Sequence, residues 1–335
     1  MNKYLRFGAF VLGAVVLTLL IRHSGPAVIW QTLRQSAWVI GPVIALWGTV
    51  YLCNARAWQL LMPKRPPEFS LWRAFLLTIA GFAMNYSIPA LSVGGEPLKI
   101  EGAATWVGRR RAAGSVVGFR FLHAVAHIII LLVSMIPAAI LLPHTPLVFA
   151  SLTVTSLLIG TAAVFLMSQH RDGIFERGVA SLGRFRLLRP LAVRLESKRD
   201  VLQELDVELT AIHKAPGQYR WALGMELCGR ILSTLEYAII FYGLGLGFDV
   251  PRAFVLANLT TVFTNLTFFM PFEVGSKEGG AFVVFAWLGM DPKLGTSAAL
   301  LSRVRELAWM ALGLGALLLL GDANPKKREP RDERR

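Results

Sequence analysis

Long stretches of this chain are nearly free of ionisable side chains: Phe7 to Ile21, Val39 to Met62, Val125 to Leu142, Leu147 to Met167, Ile239 to Phe248 and Leu307 to Leu320. An apolar run of about 20 residues crosses a hydrocarbon layer about 30 Å thick as a helix. A helix is required there, because no water satisfies the backbone N–H and C=O groups. The strict alternation of a membrane β-barrel is absent. The pattern predicts spans at 4–22, 37–62, 112–142, 146–168, 219–246 and 295–320. The run from Tyr4 to Ile21 lacks a small-x-small cleavage site after it and reads as a retained span.

Two further apolar segments, 72–106 and 251–290, are interrupted. The first runs from Ala74 to Ile88, meets Pro89, and continues through Gly94-Gly95-Glu96-Pro97-Leu98-Lys99-Ile100-Glu101. The second runs from Ala253 to Met270, meets Pro271, and continues through Glu273-Val274-Gly275-Ser276-Lys277-Glu278-Gly279-Gly280. Each predicts a helix that enters, breaks and turns back, a backbone tolerated at membrane depth only where protein or a wet cavity surrounds it.

Charge then orients the spans. Segment 171–220 holds ten Lys/Arg against seven Asp/Glu, and the tail adds Lys326, Lys327, Arg328, Arg331, Arg334 and Arg335. The links Pro143 to Pro146 and Gly247 to Pro251 are short and nearly uncharged. Excess Lys and Arg marks cytoplasmic loops, so both termini and 171–220 are expected on the cytoplasmic side of the cell (inner) membrane, with Arg22 and Arg34 as mild exceptions. Leu191, Leu195, Leu202, Leu205 and Leu209 recur at helical spacing, which predicts an amphipathic surface helix. The chain is 54% hydrophobic, with a mean hydropathy of +0.53, well above a soluble domain. Its net charge of +14 is accounted for by this topology signal, so nucleic acid is not an expected partner. Cys53 and Cys228 fall inside spans and read as small packing residues. Trp38, Trp72, Trp106 and Trp221 fall near span ends, as belt anchors do.

The broken segments resemble each other. Asn85 precedes Pro89 and Glu96 follows, with Arg120 24 residues later; Asn265 precedes Pro271 and Glu278 follows, with Arg303 25 residues later. The flanking spans match in order, and three spans per half make the second half inverted. The expected architecture is therefore an all-α polytopic membrane protein with about six full spans and two broken, re-entrant helical hairpins in an inverted repeat. Residues 1–142 form the first half and 146–320 the second, with a cytoplasmic insertion at 171–218; residues 321–335 form a basic tail expected to be disordered.

With Asn85-x3-Pro89-x4-Gly94-Gly95-Glu96-Pro97-x-Lys99, then Arg120, then Pro271-x3-Gly275-x2-Glu278-Gly279, then Arg303, the sequence resembles the lysylphosphatidylglycerol synthase transmembrane region, or flippase-like domain, family. The resemblance runs from the first span to about Leu320 and implies lipid translocation or a closely related lipid-handling role. Bifunctional members carry an aminoacyl-transferase domain after the membrane part. Here a short basic tail follows, so no reaction of that domain is carried over.

Ionisable groups within a membrane are costly and are candidates for function by default. Glu96, Lys99 and Glu101 lie at the first break, and Glu273, Lys277 and Glu278 at the second. Lys99, Lys277, Arg120 and Arg303 offer cations to a lipid phosphate, and Glu96 and Glu278 can hold those cations or bind an amino headgroup. Arg120, His123 and His127 share a helix face. With Asn85 and Asn265 these form the expected headgroup-binding set. Glu226 with Arg230, and Arg303 with Glu306, read as local ion pairs, while Arg305 points to another face, towards Trp309 or the interface. No catalytic set, metal site or cofactor is expected. The reading is a flippase moving an anionic or aminoacylated headgroup between leaflets through a groove between the halves. A membrane-embedded lipid transferase or hydrolase, and a scaffold of a lipid-synthesis complex, are the alternatives. The expected partners are a membrane lipid and the bilayer, with a second copy of the chain or lipid-synthesis enzymes left open.

Overall fold

The computed structural model describes residues 15–23, 25–62, 65–87, 94–146, parts of 148–161, 216–267 and 270–322. Most of the expected first span, residues 88–93 with Pro89 of the first break, much of the span at 146–168, the insertion up to residue 215 and nearly all of the tail lie outside the described residues. Among the described residues every regular element is helical. We number them α1 Pro26–Gln35, α2 Ile40–Leu60, α3 Leu71–Ser87, α4 Glu96–Val107, α5 Arg109–Leu141, α6 Pro216–Gly243, α7 Val250–Leu266, α8 Ser276–Trp287 and α9 Pro292–Asp322. Two stretches, Ala37–Leu60 and Arg109–Leu141, are long and apolar enough to cross a membrane. Large apolar side chains point outward from the bundle, with Ile140 72% and Leu318 76% exposed, a surface suited to lipid rather than water.

Local chemistry fixes the element ends. Pro97 and Pro251 stand in the first turns of α4 and α7, where a missing N–H costs nothing. The Asp249 carboxylate caps α7 by accepting from the Arg252 N–H at 2.9 Å. Gly108, at φ 84°, separates α4 from α5 in a single residue. The sequence reading left Pro26–Gln35 outside the spans; Pro26 starts a helix there because Ile29 and Leu33 can bury one side while Trp30 stays exposed.

Both interrupted segments fold as antiparallel helical hairpins. In the first, Arg73 stacks over Trp106, Leu77 lies against Gly102, and Gly81 lies against Gly95. A Cβ on Gly95 would sit 2.2 Å from the Gly81 carbonyl oxygen, so the two backbones touch at this crossing. In the second, Phe263 lies against Gly280, and Thr267 bonds Ser276 at 2.7 Å. The open end of the first hairpin sits beside Leu319 and Leu320 at the end of α9. The second lies along the start of α9, where Gly295 meets Ala281 and Phe285. The hairpins therefore approach each other from opposite ends of α9, and their tips meet: the rings of Tyr86 and Phe272 are 5.6 Å apart.

At the centre α2 and α6 run antiparallel. Ser36 bonds the Gly243 carbonyl, Trp47 bonds Glu236, Cys53 lies against Gly229, and Asn54 bonds Glu226. Packing recurs between the helices α2–α5 and α6–α9. α2 lies on α3 as α6 lies on α7, α4 on α5 as α8 on α9, and α3 on α9 as α7 on α5.

Candidate functional site

The meeting hairpin tips border two adjoining cavities. One of about 520 Å³ is lined by residues that include Asn85, Arg120, His127, Arg230, Asn265 and Glu273. The other, about 250 Å³, is lined by residues that include Asn54, Glu96, Lys99, Phe119 and Arg120. Asn85, Tyr86, Arg120 and His123 line both.

Each tip is fastened by its own Glu–Arg pair. Glu96, on the first turn of α4, accepts from Arg120 Nε at 2.5 Å, and the side chain of Asn85 accepts from the Gly95 N–H at 2.6 Å. Glu278, on the first turn of α8, accepts from the Gly275 N–H at 2.9 Å and from Arg303 Nε at 2.7 Å. Arg303 also donates to the carbonyls of Phe272 and Glu273, at 2.8 and 3.3 Å, and so holds the second tip by its backbone. That tip needs holding, because Phe272 and Glu273 have φ of 55° and 53°, values that side-chain-bearing residues seldom adopt. Tyr86 joins the tips: its hydroxyl donates to Glu306 Oε2 at 3.0 Å and accepts from Arg303 at 3.2 Å.

A second network closes the side of the larger cavity. His123 Nδ1 lies 2.5 Å from Glu226, whose other oxygen accepts from Asn54 at 2.7 Å. Arg230 reaches His127 Nδ1 at 2.7 Å and the His123 carbonyl at 3.1 Å. A guanidinium only donates, so His127 Nδ1 accepts and its proton sits on Nε2, 3.3 Å from the Asn265 side-chain amide. A third network is fully buried. Lys277 bonds Ser302 at 2.6 Å and pairs with Glu306, while Arg305 grips Glu236 at 2.9 to 3.2 Å and stacks on Trp47 at 3.8 Å.

Residues 6–315 match the family described as Lysylphosphatidylglycerol synthase TM region. The chain belongs to that family. No curated protein and no solved structure matches it. As a member of the family it is a helical membrane protein connected with lipid metabolism, and the residues expected to bind the headgroup can be placed one by one. Asn85, Glu96, Lys99, Arg120, His123, His127, Asn265, Glu273, Lys277, Glu278 and Arg303 all lie on the cavities or in the networks beside them. Glu101 does not. Its exposed carboxylate pairs with Arg109 at 2.9 Å at the open end of the first hairpin.

Two local readings change and one is extended. Arg303 and Glu306 are not each other's partners, since Glu278 takes the first and Lys277 the second. Glu226 and Arg230 do approach, at 3.8 Å, but each is bound more closely by a histidine of α5. Arg305 turns into the core, where it pairs with Glu236 and stacks on Trp47 instead of reaching the interface, because a buried guanidinium needs a carboxylate and α6 supplies one. Tyr86, Glu226, Arg230, Glu236 and Glu306 were missed as members of the site. Glu226, Arg230 and Glu306 have an opposite charge at helical spacing, which hides their longer-range partners; Tyr86 and Glu236 have none, and a phenolic or ionisable group so placed in a span is their signal.

Proposed function

We propose that this protein moves a polar lipid headgroup between bilayer leaflets, acting as a transporter rather than an enzyme. The observation that carries this reading is the cavity where the two hairpin tips meet, lined by charged and amide side chains in a bundle whose exterior is apolar. The recurrence of helix order and packing between α2–α5 and α6–α9 supports an inverted repeat, with each hairpin re-entrant from its own face of the membrane. A headgroup held between the tips is passed from one face to the other as one hairpin and then its counterpart yields, while the acyl chains stay in the surrounding lipid. Arg73, Arg109, Arg110 and Arg111 lie at the first hairpin's open end, beside the end of α9, which supports placing that end on the cytoplasmic face of the cell membrane; the charge pattern of the sequence supports the same face for both termini.

The test uses the purified chain in liposomes carrying phosphatidylglycerol with a fluorescent headgroup, read by quenching of the outer leaflet. Expected is exchange above protein-free vesicles, abolished in Glu96→Gln and Arg303→Ala proteins that still elute as folded monodisperse species. Normal exchange in both variants would refute the assignment. New lipid species in mass spectra of the same vesicles would replace transport with catalysis.

A further inference from the structure

The two hairpins are not chemically equal. Three residues after Arg303 stands Glu306; three after Arg120 stands His123. Lys277 precedes Glu278 by one position and Lys99 follows Glu96 by three, so the two lysines occupy the same helix face one turn apart. In the second hairpin Glu306 neutralises the lysine, and Ser302 accepts from it as well. In the first, His123 replaces that carboxylate and is itself bound to Glu226.

Lys99 is left over. Its side chain is only 8% exposed, yet among the described residues its ammonium has no carboxylate within ion-pairing distance and no hydrogen-bond acceptor. Its nearest recorded company is aromatic: the rings of Trp58 and Phe119, 5.4 and 5.0 Å away. Every other buried cation around the tips is matched, Arg230 with Glu226, Lys277 with Glu306, Arg303 with Glu278 and Arg305 with Glu236. Lys99 lines the smaller cavity with Glu96, whose Oε2 is buried without a hydrogen-bond partner, and with Arg120. The Nζ opens on that cavity, and an ammonium confined there without an ion-paired carboxylate is costly, ring faces offsetting only part of that cost. A bound anion removes it.

We propose that Lys99 is the seat of a single phosphate oxyanion in the cavity of about 250 Å³, and that the second hairpin, sealed by Glu306, has no such seat. A phosphodiester satisfies Lys99 with its one negative charge, and a donor on its headgroup satisfies Glu96 Oε2. The lipid origin of that phosphate rests on the transport reading; free phosphate presents the same oxyanion.

The test measures binding to the full chain in detergent without added lipid, using dioctanoyl phosphatidylglycerol, dioctanoylglycerol and inorganic phosphate as probes. Lys99→Met is expected to weaken the phosphatidylglycerol analogue at least about tenfold, the loss of a charged hydrogen bond, while Lys99→Arg keeps most of the affinity. Dioctanoylglycerol, which lacks phosphate, is expected to bind wild type and Lys99→Met alike. Arg252→Gln, an exposed charge loss, is the control. Lys99→Met is also expected to melt at or above wild type without ligand, because it deletes an uncompensated charge. Affinity retained within about twofold in Lys99→Met, or lost together with a lower melting temperature, overturns the proposal. Competition by inorganic phosphate identifies the bare oxyanion as sufficient, and absence of competition identifies the lipid phosphodiester as the ligand. Lys99-dependent binding without leaflet exchange would remove the transport reading and leave the site standing.

Discussion

Replacing Arg305 by Met tests the most deeply buried ion pair. Arg305 is 4% exposed and Glu236 is 1% exposed. The guanidinium donates to both Glu236 oxygens at 2.9 to 3.2 Å, donates to Ser302 at 3.1 Å and stacks on Trp47 at 3.8 Å. Arg305→Met keeps the apolar stem and removes the charge, leaving Glu236 with only the Trp47 N–H, at 2.8 Å. Stranding a buried carboxylate in this way costs about 3–5 kcal/mol. Glu236→Gln is expected to cost less, about 2–3 kcal/mol, because Glu306 stands 3.5 Å from Arg305 and inherits it. The double variant buries no lone charge and is expected to be more stable than the sum of the single changes by about 2 kcal/mol or more. Equilibrium unfolding in mixed micelles with increasing dodecyl sulfate measures all three. A cost below about 1 kcal/mol for Arg305→Met, additive single effects, or Glu236→Gln being the worse change would refute the reasoning.

Other outcomes follow from the same geometry. Gly95→Ala pushes a methyl group to 2.2 Å from the Gly81 carbonyl, where backbone stands on both sides, and is expected to cost about 1–3 kcal/mol or more in the same assay. Gly279→Ala meets nothing within 4 Å and is expected to stay within about 0.5 kcal/mol of wild type. Tyr86→Phe removes the hydroxyl shared by Glu306 and Arg303; a loss of about 1–2 kcal/mol is expected, with faster hydrogen exchange over residues 270–275. Asp249→Ala uncaps α7 and is expected to cost about 1 kcal/mol, read by thermal unfolding.

The breaks were legible because Pro and Gly interrupt apolar runs, and the pairs Glu96–Arg120 and Glu278–Arg303 were legible because each joins one break to the next span at matching separations. Those separations become contacts because α4 turns back along α5, and α8 along α9. What stayed hidden joins helices distant in the chain. Glu226 finds His123 103 residues away, and Trp47 finds Glu236 189 residues away; neither distance has a helical period to betray it. Arg305 was misread for the same reason: Trp309 is its neighbour along the helix, but the partner that decides its rotamer is on α6. The charge rule alone narrows the choice, since Glu236 and Arg305 each lack an opposite charge at helical spacing that is free to serve them.

The antiparallel pair α2 and α6 has a mechanical consequence. Contacts run along the whole pair, from Ser36 and Gly243 to Asn54 and Glu226, with two buried carboxylates fixed across it. Sliding one helix past the other would part Glu226 from Asn54 and Glu236 from Trp47 in the same stroke. In the proposed transport cycle the pair would serve as a stationary keel, with the working stroke left to α3–α5 and α7–α9, which pack against it.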